Sequence, residues 1–156
     1  MKLINAFFII LLGLAFNSTS FAVQPTQKEV TKVMDYYFKG EKNGPILINL
    51  NLCEKVDRRK DSRTKFECLK SATSKIKVNS ALTAWTSWFV PQNGKYDDIM
   101  IQFIHNGMVR TTKDVTLTGG LRLRAFRTEQ ITKKGKWEIR VLRKKKIIAA
   151  AHFTAI

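Results

Sequence analysis

The sequence predicts a mostly β protein: an antiparallel β-sandwich with one short N-terminal helix behind a signal peptide. Three observations carry this. Short segments alternate apolar and polar residues at period two, the mark of strands with one buried and one wet face. Turn signals recur between them. One stretch near the N-terminus has helical spacing instead. The alternation is clearest near the C-terminus, where Leu121, Leu123 and Ala125 alternate with Arg122 and Arg124, and Trp137, Ile139 and Val141 with Glu138 and Arg140.

The chain has 156 residues, enough for one domain with a real core. Residues 1–22 read as a secretory signal peptide: Lys2 gives a positive start, Ile4 to Phe16 is apolar, and Ser20-Phe21-Ala22 fits the cleavage pattern. The rival reading is an uncleaved anchor, but the run is short against the roughly 20 apolar residues a span needs. No cysteine lies near the cut, so a lipid anchor is not expected, and no transmembrane span is expected after cleavage. Residues 23–45 then hold the helix and a linker, and 46–156 the sandwich. Such a protein is periplasmic or secreted.

Thr26 and Glu29 have capping-box spacing, and Val30, Val33, Met34 and Tyr37 follow on one helical face. Gly40 is the expected stop. After Gly44-Pro45, residues Ile46, Ile48, Leu50 and Leu52 alternate with Leu47, Asn49, Asn51 and Cys53, a strand. Glu54 to Glu67 is a charged loop, with the return strand beginning near Phe66 and Cys68. Ile76 and Val78 mark a short strand. Leu82 to Val90 carries bulk on both parities and is expected to be covered on both sides. Pro91 to Gly94 reads as a turn, Ile99 to Ile104 as a strand, and Asn106-Gly107 as a tight hairpin. Val109 to Leu117 returns, and Gly119-Gly120 is expected to turn the chain into the last strands. Phe126 shares the parity of Arg122 and Arg124, so either a bulge intervenes or the basic face carries an aromatic.

Cys53 and Cys68 are the only cysteines, with 14 residues between them. In an oxidising compartment such a pair is expected to bond, which adds roughly 3 kcal/mol in the chain-entropy model. Two cysteines without further ligands make no zinc site, and His105 and His152 stand in no ligand spacing. No metal or cofactor is expected. The serines form no nucleophile elbow, and Gly119-Gly120 precedes a strand, not a phosphate-binding helix. His152 has no nucleophile or orienting acid to serve. Trp85, Trp88 and Trp137 read as core before ligand platform.

The C-terminal half resembles a bacterial envelope family catalogued as domain of unknown function 2914. The likeness rests on Trp88-Phe89, Arg124-Ala125-Phe126, the Gly135-Lys136-Trp137-Glu138-Ile139-Arg140-Val141 run, Phe153-Thr154-Ala155 and the Leu52 to Asp57 stretch. It covers roughly Ile46 to Ile156. The family usually has a His two residues before the strand Trp, where this chain has Thr86. The resemblance implies a small immunoglobulin-like sandwich and no known activity.

The functional signal is charge. The formal net charge is +16; without Lys2 it is +15 (27 basic minus 12 acidic residues). Such a balance favours anionic partners, although a solvated basic surface explains it too. Parity points Arg122, Arg124 and Arg140 outward, and Arg143, Lys144, Lys145 and Lys146 form a hairpin tip beyond them. These seven residues are expected to form one anion-binding surface. The partners expected are lipopolysaccharide, phospholipid head groups, an acidic glycan or an acidic protein. Nucleic acid is the lesser candidate because the chain is exported. The expected protein is a non-enzymatic interaction module. The alternatives are a secreted effector or nucleic-acid or glycan binder, and a small hydrolase with a site the sequence does not reveal. The mature chain is expected to begin at or near Val23. Intact-mass measurement on protein exported by a bacterial host checks this, and a mass that retains Met1 to Ala22 contradicts it.

Overall fold

The computed structural model describes residues 26–39 and 44–156. The signal peptide with its cleavage site, the Gly40 stop and the Tyr37 side chain lie outside the described residues. Helix α1 (Gln27–Lys39) starts at the expected box. The Thr26 hydroxyl accepts the Glu29 amide at 3.2 Å, and the Glu29 carboxylate accepts the Thr26 amide at 2.6 Å. Two donors that the first turn would leave unpaired are thereby satisfied. No helix among the described residues is long and apolar enough to cross a membrane.

Seven strands follow: β1 (Ile46–Val56), β2 (Cys68–Ser71), β3 (Lys75–Ile76), β4 (Ser80–His105), β5 (Met108–Ile131), β6 (Gly135–Arg143) and β7 (Lys146–Ala155). The expected turns at Pro91–Gly94 and Gly119–Gly120 are not turns. Strands β4 and β5 run straight through them as one long antiparallel hairpin. The two stretches lie opposite each other: Val90 faces Gly120 and Lys95 faces Thr118, with several extra residues on β4 between. Proline and glycine in paired strands mark bulges and bends rather than reversals. At Gly94 a Cβ would stand 2.6 Å from the Tyr96 ring, so that ring would have to shift.

That bend folds the sheet over itself. The first half of β4 pairs with β1, and β1 with β2. The second half pairs with β6, which pairs with β7. The short β3 joins β7 in parallel. The product is the expected antiparallel β-sandwich. Leu82, Ala84 and Trp88 from one layer pack with Ile99, Ile101, Phe103, Ile139 and Val141 from the other in a single core. Residues Leu82 to Val90 are buried on both faces, as their two-sided bulk predicts. Outside, α1 and Ile48 cover Phe89, while the disulfide loop covers Trp85, whose indole N–H donates to the Phe66 carbonyl at 2.6 Å.

Strand β1 departs from its simple alternation. Leu47 pairs with Trp88 and Asn49 with Ser87, so Ile48 is an inserted residue. Ile46 and Ile48 therefore turn out toward α1, while Leu47, Leu50 and Leu52 turn in. Cys53 and Cys68 are bonded, with Cα atoms 5.8 Å apart, tying β1 to β2. The Asn106-Gly107 hairpin forms as expected, both residues left-handed (φ 47° and 82°).

Trp137 is 4% exposed, donates its indole N–H to the Lys133 carbonyl at 2.9 Å, and stacks on Phe153 with ring centroids 6.0 Å apart. Trp137→Ala should cost about 3–5 kcal/mol of stability. Chemical denaturation checks this, and a loss below about 1 kcal/mol, the level of a surface change, contradicts it.

Candidate anion-binding surface

Parity placed the arginine side chains on outer faces, and the structure then separates them. Arg124 lies on the outer face of the first layer, in an ion pair with Glu67 of the disulfide loop. Arg122 lines an apolar cleft of about 240 Å³ beneath α1, with Val30, Val33, Met34, Ile48 and Phe89. Arg140 lies on the second layer and holds Glu138 through two bonds of 2.7 and 2.8 Å. Those bonds keep the Glu138 carboxyl below the ordinary range, against the effect of burial. Arg143 is pinned at the base of its hairpin. It stands 3.6 Å from Asp98, donates to the Pro45 carbonyl at 3.3 Å and lies over the Tyr96 ring at 5.8 Å.

The expected single surface is therefore not formed. Strand folding sends the arginines to two layers, and carboxylates remote in sequence come to meet Arg124 and Arg143. Lys144, Lys145 and Lys146 do form an exposed tip. Phe126 resolves in favour of an aromatic on the basic face. The register from Ala84–Arg127 to Thr86–Ala125 runs without a bulge, and Phe126 packs on Phe66 at 6.0 Å under the Arg58 guanidinium at 5.3 Å.

A second basic cluster arises outside the seven expected residues. Segments 72–81, 103–113, 130–137 and 153–156 meet at the end of the sandwich opposite the bend. The Val78 amide bonds to Ile156, Asn79 to Ile131, Asn106 to Lys136 and Thr154 to Ser74. His105 joins through a 2.8 Å contact between its Nε2 and the Lys134 carbonyl. These four segments contain Lys75, Lys77, Arg110, Lys113, Lys133, Lys134 and Lys136, and no Asp or Glu. Among the described residues, Lys113 alone of these pairs with an acid, Glu129 at 2.8 Å. Lys75 on β3 and Lys136 on β6 both pair with Thr154 of β7, so one row across three strands carries a lysine at each side. The available signal was the missing acids. The parallel β3–β7 pairing that assembles the row has no signature in two residues.

In the disulfide loop, Asp57 is a structural anchor. Its buried carboxylate accepts the Arg59 Nε and Nη2 at 2.9 Å, the Ser62 hydroxyl at 2.5 Å and the Thr64 hydroxyl at 2.7 Å. The Arg59 guanidinium, then the two hydroxyls, hold the carboxyl far below the usual aspartate range, outweighing desolvation. A depressed folded pKa contributes stability above the unfolded value of about 3.9, and loses it only as pH falls toward the folded value. The Asp57 carboxyl carbon resonance should thus hold its ionised position from pH 7 to about 3, where an ordinary aspartate is mostly protonated. A titration centred at about pH 4 contradicts the anchor.

Among the described residues no group of three His, Cys, Asp or Glu side chains could hold a metal. No family model matches the chain, and no curated protein matches it. Solved structures match loosely. An immunoglobulin-like protein from Pseudomonas aeruginosa is 13% identical, covering 62% of this chain and 86% of that one at a TM-score of 0.42. The CARDB domain of a Pyrococcus furiosus protein, solved with di-metal ions, is 11% identical, covering 72% and 90% at 0.39. A Pseudomonas fluorescens alkylpurine DNA glycosylase bound to DNA is 13% identical, covering 54% of this chain and 28% of its own length at 0.38. At these scores the matches say nothing of what this chain binds.

Proposed function

We propose that the chain is an exported, non-enzymatic interaction module whose lysine-rich end binds a polyanionic surface. The observation that carries this is the end opposite the bend, where four hydrogen-bonded segments hold seven basic residues and no Asp or Glu of their own, with Glu54 and Glu129 the acids beside them. Six acids are drawn into pairs, five of them with Arg59, Lys70, Arg124, Arg140 and Arg143 and the sixth, Glu129, with Lys113 of this end. The lysines left over at this end are compact, strongly hydrated charges on flexible stems. They suit a surface of spread phosphate or sulfate rather than one bidentate ligand. In an envelope compartment such surfaces are lipopolysaccharide, phospholipid head groups and acidic glycans. The Lys144 to Lys146 tip extends the field from the other end.

Like charges on neighbouring strands repel by a few tenths of a kcal/mol per opposed pair (about 0.2–1 kcal/mol). An anionic surface relieves that repulsion, and salt screens it over about 8 Å at physiological strength. Heparin chromatography and sedimentation with anionic vesicles test the reading. Changing Lys75, Lys133, Lys134 and Lys136 together to Gln should lower the eluting salt concentration more than changing Arg58, Lys60, Arg63 and Lys65 of the disulfide loop. Equal shifts mean that net charge alone binds, and the localised surface is then wrong.

A further inference from the structure

A folded-over sheet leaves two seams where its layers part. Along β5 the seam is stitched. The two halves of that strand face each other, and the Arg127 guanidinium donates to the Asp114 carbonyl, at 2.8 Å from Nε. Lys113 donates to the Thr128 carbonyl at 2.6 Å and pairs with Glu129. Unpaired strand edges are thereby covered by side chains.

The other seam, between β1 and β7, has no strand pairing, although the two strands come within 8 Å between Cα atoms. There a groove of about 410 Å³ runs between Leu47 and Leu50 on one side and Ile148 and Ala150 on the other, with Lys28, Glu29 and Lys32 of α1 above it. Lys32 caps part of the β1 edge, donating to the Leu47 and Ile48 carbonyls at 2.8 and 3.1 Å. On β7 the outer edge carries β3 only at Thr154 and Ala155. The Thr154 and Ile156 amides point to β3. By strand alternation the Ala150 and His152 amides and carbonyls point the same way, and among the described residues nothing pairs with them. Ile147 and Ile148 are 53% and 43% exposed. The run Ile147 to Ala151 has no charge and no proline, the usual guards of a free edge; a bulge at Ile148 is its one protection.

We propose that this edge takes an extended segment of an acidic partner polypeptide, added as a further strand beside β7 over Ile148 to His152. Backbone bonds to Ala150 and His152 would supply the pairing, and alternate apolar side chains would enter the groove over Leu47 and Leu50. Charge decides the occupant. The edge is framed by Lys144, Lys145 and Lys146 at one end, Lys75 and Lys136 at the other, and Lys28 and Lys32 across the groove, where Glu29 is the one acid of the lining. A second copy of this chain would bring another +16 formal charge to the same place, whereas acidic flanks on an incoming strand meet lysines. This inference does not rest on the polyanion reading.

The probe is a synthetic seven-residue peptide with valine at alternate positions and glutamate at both ends. Its control is the same peptide N-methylated at the amides that would face β7, which keeps charge and side chains but cannot pair. Fluorescence anisotropy should show binding of the first, with affinity reduced about tenfold or more for the control, the scale of losing one or two backbone hydrogen bonds. Binding should slow amide exchange at Ala150 and His152. Ala150→Pro should cause a similar loss while keeping the fold, because an edge strand tolerates proline where its N–H points to solvent, and should leave heparin elution unchanged. Equal affinity for both peptides, no binding of either, or Ala150 and His152 amides already protected in the chain alone would each overturn the proposal. The last would assign the edge to a second copy or to the chain's own residues.

Discussion

The β4–β5 hairpin is the constraint on which the rest depends. Its two strands, Ser80–His105 and Met108–Ile131, belong to both layers at once. Everything else is attached to one half of it. Strand β1 pairs with the first half of β4, β6 with the second, and each brings its own neighbour. The core exists because the bend at Val90 to Lys95 brings Leu82 and Trp88 over Ile101 and Phe103. A straight ribbon would leave all four in water, and an isolated two-stranded ribbon is marginal. The bend residues therefore matter more to this fold than any single core side chain.

Much of this was legible in the residues. Period-two alternation located the strands, because a half-buried sheet demands it. Two-sided bulk at Leu82 to Val90 foretold a strand covered on both faces. The capping box, the Asn106-Gly107 hairpin and the Cys53–Cys68 bond are local chemistry and needed no tertiary information. What failed was also local in appearance. Pro91, Gly94, Gly119 and Gly120 carry the signals of chain reversal, yet a bend shared by two paired strands uses the same residues. Only the knowledge that they stand opposite each other separates the cases. The bulge at Ile48 is likewise silent in sequence, since Ile46, Leu47 and Ile48 are apolar on both parities.

The site was less legible than the fold, for a different reason. Alternation tells which way a side chain points but not what it meets. Arg124 and Arg143 met Glu67 and Asp98, partners 57 and 45 positions away. Charges cancel in space, not along the chain, so a count over a segment overstates its field. The lysine end follows the converse logic. Its segments look sparse one by one, and hydrogen bonding between distant loops concentrates them. What a sequence reader can take from this is that missing acids localise charge better than clustered bases do.

The hairpin tip between β6 and β7 shows where charge has been placed against the backbone's preference. Lys144 and Lys145 both occupy left-handed conformations (φ 49° and 63°). The sister tip uses Asn106-Gly107 for the same turn, residues that enter that region readily. A left-handed residue with an ordinary side chain costs roughly 1–2 kcal/mol. The fold therefore carries a built-in tension at this corner: foldability favours small, permissive residues, and the chain holds two long cations instead. Their backbone is fixed by a closed two-residue turn, so the ammonium groups sweep only the reach of their stems, as tethered charges on a rigid mount.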